Sequence, residues 1–251
     1  MSTALINRLC GIALMAALPI FLAGEFMHPP SESVHDLLLP TQVPAHVLDL
    51  AAFILLLVAM PGFYAHQAHR AGRLGLLGFV LTMLYIAGTA QLLVWEAFGS
   101  PRLAADSATS YLVVPMSPTT QGLLGATGSM ANGPIGFVGR FMVLAPLTLL
   151  APIIFGIATW RARVFPRWAG IIQIASVVLL PLFIGIQALT TWLGIANPDL
   201  GVIGLSVGAV LLGYAWGGYD LWRGPRPVRT ADASIAPAGL ASPAPGTMIG
   251  G

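Results

Sequence analysis

The sequence predicts an all-α fold, a polytopic bundle of six transmembrane helices with both termini in the cytoplasm. Of the 251 residues, 57% are hydrophobic and 8% are charged, and the mean hydropathy is +0.85. Soluble domains carry about 25% charged residues, so water is not the main solvent of this chain. The apolar residues form continuous runs without strand alternation. Because lipid requires every backbone polar group to be paired, these runs predict helices.

Six apolar segments are long enough to span a bilayer, which takes roughly 20 residues per helix. They cover about residues 5–23, 46–64, 74–97, 141–160, 168–193 and 201–222, and together they predict one transmembrane domain over residues 1–223. The first segment follows a basic residue and therefore also fits a signal peptide. Its end lacks the small residue that a cleavage site needs, so we expect the segment to be retained.

The charged residues alternate in sign from one loop to the next. The chain has no lysine, and nine of its 11 arginines fall on one side of the predicted bundle: Arg8, Arg70, Arg73, Arg161, Arg163, Arg167, Arg223, Arg226 and Arg229. Arginines in short loops mark the cytoplasmic side. Seven of the nine acidic residues fall on the other side: Glu25, Glu32, Asp36, Asp49, Glu96, Asp106 and Asp199. The pattern predicts a plasma-membrane protein with both termini inside.

Two long segments and one glycine series complete the predicted organisation. Residues 99–139 predict a long outer loop, which can lie on the membrane surface or fold over the bundle. Residues 224–251 are rich in Pro, Ala and Gly and predict a disordered cytoplasmic tail. Small residues four apart let membrane helices approach closely. The last segment has four such residues, which we expect to pack within the chain or against an oligomer partner: Gly204, Gly208, Gly213 and Gly217.

This topology places five polar residues at the outer face, and we call them the outer-face cluster. They are Glu25, His28, His46, Asp49 and Glu96. The first two and the next two are each three residues apart, so each pair shares a helical face. Asp49 lies one turn inside its segment, where a carboxylate is costly unless it is paired or hydrated. We expect His46 to be its partner. The alternative is that Asp49 suits the positive end of the helix dipole and binds nothing.

Carboxylates with imidazoles also allow a metal ion at the outer face, with His46, Asp49 and Glu96 as candidate ligands. No other cofactor is predicted. Two haems stacked across the bilayer are excluded within one chain because segments three to six contain no histidine. Cys10 is the only cysteine, which excludes disulfides and thiolate metal clusters within one chain. His66 and His69 are expected to lie at the cytoplasmic interface.

A resemblance in sequence supports the same class, a multi-pass membrane protein. The stretch from Glu25 to Pro29, the stretch from Arg163 to Gly170 and the lysine-free, Ala- and Leu-rich style resemble uncharacterised multi-pass membrane proteins of high-GC, actinobacterial-type bacteria. These motifs are generic. The resemblance implies membrane residence over most of the chain and implies no activity or functional residue.

Three functions remain open from the sequence. The first is an accessory or structural subunit of a membrane assembly, favoured by the absence of charges deep in the predicted spans. The second is a small-solute transporter or channel entered from the outer face. The third is a membrane enzyme or redox protein with a metal at the outer-face cluster. The lipid bilayer is the predicted partner, with other membrane proteins or a second copy possible. The net charge of +2 despite a pI near 9.0 argues against nucleic acid.

Overall fold

The computed structural model describes residues 2–29, 34–106, 145–192 and 202–224, and these residues are helical with no strand among them. The helices are α1 (Thr3–Met27), α2 (Val34–Leu37), α3 (Gln42–Val94), α4 (Ser100–Ala105), α5 (Ala145–Ala162), α6 (Arg167–Trp192) and α7 (Val202–Arg223), with a π-helical turn at Trp95–Gly99. Among the described residues, two helical stretches are long and apolar enough to cross a membrane. These are Thr3–Met27 and Gln42–Ala105, whose most apolar 18-residue windows have a mean hydropathy of 2.0 and 2.2.

The longest helix, α3, is a hairpin whose corner is Gly72. This residue has φ 58° and ψ −153°, a backbone conformation that residues with a Cβ atom rarely adopt. We call residues 42–71 the first arm and residues 73–94 the second arm. The rings of Tyr64 and Phe79 stack across the corner with centroids 4.5 Å apart. At the open end, the Gln42 side chain reaches the backbone of Glu96. The two arms are therefore antiparallel neighbours along their whole length.

The five longest helices form a closed ring of contacts. Helix α1 packs against α3 and α7, α3 against α5, α5 against α6, and α6 against α7. Glycines allow two of these helix pairs, α3 with α5 and α5 with α6, to pack closely. A Cβ atom at Gly78 would lie 2.7 Å from the Phe155 Cα atom, and one at Gly156 would lie 2.8 Å from the Gly170 carbonyl oxygen. Substitution at either position therefore forces two helix backbones apart.

An aromatic group fills the half of the ring nearer the hairpin corner. The ring of Phe63 stacks on Phe165 with centroids 4.2 Å apart, and it also meets Phe155 at 5.8 Å and Tyr214 at 6.1 Å. Phe63 is fully buried. It therefore joins the first arm to α5, to the α5–α6 turn and to α7. In the other half, Phe53 lies between Phe21 of α1 and Tyr85 of the second arm.

The prediction of helices is confirmed in the described residues, with three differences at helix ends. Helix α1 continues beyond the predicted end at 23 to Met27. The first arm continues past residue 64 to the corner, because a single glycine reverses the chain and no loop is needed. Beyond residue 99, where a loop was expected, the chain stays helical to Ala105. The rest of the expected outer loop and the expected tail lie outside the described residues.

The four glycines of the last segment that were predicted to pack, Gly204, Gly208, Gly213 and Gly217, all lie at contacts within the chain. Gly204 faces Glu25 of α1, and Gly208 faces Leu22 and Phe21 of the same helix. A Cβ at Gly213 would lie 2.9 Å from the Ala169 carbonyl oxygen of α6, and one at Gly217 would lie 2.9 Å from the Phe63 ring. Helix α7 therefore uses these glycines to pack against α1, α6 and the first arm.

Candidate functional site

The outer-face cluster is assembled by the ends of three helices. Glu25 lies in the last turn of α1 and His28 follows it, whereas His46 and Asp49 lie in the first turns of α3. Glu96 lies in the π-helical turn after the second arm. Because α3 is a hairpin, residues near 46 and 96 meet at one end of the bundle. His46 and Asp49 are each 2% exposed, and Glu96 is 7% exposed.

His46 pairs with Glu96. The His46 Nε2 atom lies 3.5 Å from the Glu96 Oε2 atom. The other ring nitrogen, Nδ1, lies 2.8 Å from the Gln42 carbonyl oxygen. A carbonyl oxygen only accepts, so Nδ1 carries a hydrogen and donates it. The attraction between Nε2 and the carboxyl group then requires a further proton between them, either on the ring or on the acid. The imidazole and the carboxyl group are therefore linked through a shared proton in a buried environment.

Gln42 holds this pair in position and was not anticipated from the sequence. Its carbonyl oxygen accepts from His46, and its Nε2 atom donates to the Glu96 backbone oxygen at 3.3 Å. The residue is 3% exposed. Its position four residues before His46, on the same helical face, is the signal that could have identified it. His28 lies beside the pair, with its ring centroid 4.8 Å from that of His46, and its Nδ1 atom donates to the Pro29 carbonyl oxygen at 2.9 Å.

Asp49 does not pair with His46, contrary to the expectation from their spacing. Both nitrogens of the imidazole are used by Gln42 and Glu96. The Asp49 carboxylate lies instead against Gly24 of α1, where a Cβ atom would be 2.8 Å from the Asp49 Cγ atom. The Asp49 Oδ1 atom is buried and has no hydrogen-bond partner. The tight packing of α1 on the first arm thus encloses one acceptor that nothing in the described structure satisfies.

The three carboxyl groups are close enough to repel one another. The charges of Glu25 and Glu96 both act on Asp49, and the charge of His28 acts favourably on Glu25. The Glu25 carboxylate lies against Gly204 at the start of α7. Asp49 and Glu96 are almost fully buried and Glu25 is partly buried, so little water screens the repulsion between their charges.

Polar groups do not continue inward from Asp49 along the first arm. The next buried side chains on this face are Ala52, Phe53 and Leu56, each at most 1% exposed. Phe21 of α1 packs on Phe53. Along the first arm and the facing part of α1, the outer-face cluster is therefore followed by an apolar layer.

The metal hypothesis has no support in this geometry. Among the described residues, no group of three or more His, Cys, Asp or Glu side chains is arranged to hold a metal ion. The ligand set proposed from sequence, His46, Asp49 and Glu96, therefore stays a prediction. His66 and His69 lie at the opposite end of the first arm, near the hairpin corner.

Gly204 and Gly208 make a matched test of the Glu25 packing. A methyl group at Gly204 would overlap the Glu25 carboxylate, whereas one at Gly208 would lie 3.7 Å from the Leu22 Cδ2 atom, an ordinary contact. Because the overlapping atoms are the end of a flexible side chain, Glu25 can move aside, and we expect Gly204→Ala to lower the free energy of unfolding in mixed micelles by about 1 kcal/mol. Gly208→Ala should change it by less than about 0.5 kcal/mol. Equal effects of the two substitutions would contradict this placement of Glu25.

Comparisons with protein family models, with curated proteins and with solved structures found no match to this chain. The resemblance to multi-pass membrane proteins of high-GC bacteria therefore stays a prediction. What the outer-face cluster does is inferred from its own chemistry.

Proposed function

We propose that this chain is a six-span protein of the plasma membrane, with both termini in the cytoplasm, that serves as an accessory or structural subunit of a membrane assembly. The topology is supported by the polar residues that lie at the two ends of the bundle. Arg8, His66, Arg163 and Asp220, which come from four different parts of the chain, line one cavity at one end. The outer-face cluster occupies the other end. This agrees with the sides that the arginines predict.

A structural role is supported by the apolar layer that follows the outer-face cluster along the first arm. The polar groups of the outer-face cluster stop at the layer of Ala52, Phe53 and Leu56, and a path for a solute along the first arm would have to cross it. At the same time the described helices expose large apolar side chains on their outer surfaces, among them Val58 at 70% and Val178 at 65%. Such surfaces suit lipid or the helices of partner proteins.

One observation favours a second candidate, a small-solute or proton-linked transporter entered from the outer face. The Asp49 Oδ1 atom is buried without a hydrogen-bond partner, and a proton or a polar solute would satisfy it. This candidate requires the apolar layer to open. No described feature favours the third candidate, a membrane metalloenzyme.

Variants of the acids separate the first two functions. We expect Asp49→Asn and Glu96→Gln to leave cell growth and the abundance of the protein unchanged, because a subunit without chemistry of its own needs only the shape of these side chains. The control is Asp106→Asn, which changes an exposed acid. Gentle purification from native membranes should recover stable partner chains. Loss of function in both cluster variants at normal abundance, with no co-purifying chain, would support transport instead.

A further inference from the structure

A second polar site lies at the end of the bundle opposite the outer-face cluster. The short turn between α5 and α6 forms a cavity of about 450 Å³, which we call the turn cavity. It is lined by Trp160, Arg161, Arg163 and Arg167. The volume lies within the range of about 300–1,000 Å³ that is usual for small-ligand sites. Three arginine residues therefore line one open space large enough for a charged headgroup.

The turn that carries these arginines is fixed by packing. Phe165 is 3% exposed and stacks on the buried ring of Phe63. Arg163 has φ 54°, the left-handed conformation that turns the chain sharply after α5. The Ala169 backbone N–H donates to the Pro166 carbonyl oxygen at 3.0 Å, which begins α6 immediately after the turn. The backbone that carries the three arginines is thus fixed, and their side chains are exposed around the turn cavity.

The charges of the turn cavity favour an anion. No acidic residue is among the four that line it, so its lining carries three positive charges and no negative one. Arg163 also lines the neighbouring cavity of about 520 Å³, to which Arg8 and Asn7 contribute from α1. Asp220 is an acidic residue that lines this neighbouring cavity, and it does not line the turn cavity. An anion in the turn cavity would offset the repulsion between the arginines.

We propose that the turn cavity binds the phosphate group of an anionic phospholipid. Arginine presents paired N–H donors that match two phosphate oxygens, which lysine does not. Trp160 is 45% exposed and Trp168 is 61% exposed, and tryptophans favour the level of lipid headgroups. Basic pockets between membrane helices on the cytoplasmic side take anionic headgroups in this way. This inference rests on the topology proposed above and not on the accessory role.

The chain's own tail is a poorer occupant. Residues 225–251 contain two arginines, Arg226 and Arg229, and one acid, Asp232, so their net charge is +1. A cationic segment would add to the repulsion in the turn cavity. A phospholipid supplies the opposite charge together with an apolar body that suits the exposed Trp160.

The test compares two double variants that remove the same charge from the same end of the bundle. The full chain and its Arg161→Gln/Arg167→Gln variant are reconstituted in vesicles of phosphatidylglycerol and phosphatidylcholine, extracted gently, and weighed by native mass spectrometry. We expect the variant to retain roughly tenfold less phosphatidylglycerol than the wild type. The control, Arg70→Gln/Arg73→Gln, changes two exposed arginines that line neither cavity and should lower retention less than about twofold.

Further arms distinguish the sources of the phosphate. Arg161→Lys/Arg167→Lys keeps the charge without the paired donors, and it should retain an intermediate amount of lipid.

Equal losses of bound lipid in the Gln variant and in its control would overturn the proposal, because they would mean unspecific attraction to the anionic surface. Displacement of the lipid by inorganic phosphate alone would assign the turn cavity to a free anion instead. Unchanged binding after deletion of residues 225–251 is expected, and a marked rise would identify the tail as the occupant. A wild type that does not insert into the vesicles would refute the topology rather than the site.

Discussion

The His46→Leu variant is expected to lose about 3 kcal/mol of unfolding free energy, measured in mixed micelles. Leucine has a similar volume, so packing changes little, but Glu96 loses the imidazole that lies 3.5 Å from its carboxyl oxygen. Glu96 is 7% exposed. Removing one member of a buried ion pair costs about 3–5 kcal/mol because the other charge stays buried without it. We place the effect at the lower end because the two atoms stand beyond ideal hydrogen-bond distance.

A double-mutant cycle checks this interpretation. In the background of Glu96→Gln, which removes the buried charge, His46→Leu should cost only about 1 kcal/mol. If His46→Leu costs the same with and without Glu96→Gln, the loss comes from packing and the pair is not the stabilising contact.

The grouping of the outer-face cluster residues at one end of the bundle could be predicted from the charge pattern. The alternation of arginines and acids predicts a side for each segment end, and residues at the same side of neighbouring helices are expected to meet. The structure brings Glu25, His46, Asp49 and Glu96 to one end of the bundle. For this step it is enough to know which residues lie at the same end of the bundle, and the positive-inside rule predicts that end.

The pairing inside the outer-face cluster could not be predicted. Spacing along α3 suggested that His46 would meet Asp49, but spacing says nothing about the rotation of the second arm. The placement of the second arm brings Glu96 to the imidazole, whereas the packing of α1 on the first arm sets Gly24 against Asp49. A glycine in a sequence marks a close approach without naming the partner, so the role of Gly24 could not be predicted either. Gln42 was missed because an amide at a helix start is ordinary.

The ends of helices were the least predictable part of the fold. Composition identifies an apolar segment, but it does not say how far the helix runs beyond it. The hairpin corner depends on one residue, Gly72, whose positive φ lets two helices meet without a loop. The helical turns after Trp95 continue through Gly99 and Pro101, residues that would usually mark a loop. Proline in the first turn of a helix costs no hydrogen bond, which explains its place in α4.

Phe63→Ala is expected to lower the free energy of unfolding by about 3 kcal/mol. In lipid the transfer of an apolar side chain from water contributes less than in a soluble protein, so the lost packing dominates. The packing here is extensive, because Phe63 contacts Phe165, Phe155 and Tyr214 and is fully buried. Large-to-small substitutions at such sites cost about 3–5 kcal/mol, and the cavity left behind is part of that cost. Unfolding in mixed micelles measures it.

Phe26 supplies the matched control. It is the same residue type and 91% exposed at the end of α1, so Phe26→Ala should change the unfolding free energy by less than about 0.5 kcal/mol. Phe63→Ala should also reduce the retention of phosphatidylglycerol, because Phe165 loses the ring that fixes the α5–α6 turn. A variant that is destabilised yet keeps full lipid retention would show that the turn holds its arginines without Phe63. The two readouts therefore test separately whether the aromatic group stabilises the bundle and whether it orders the turn cavity.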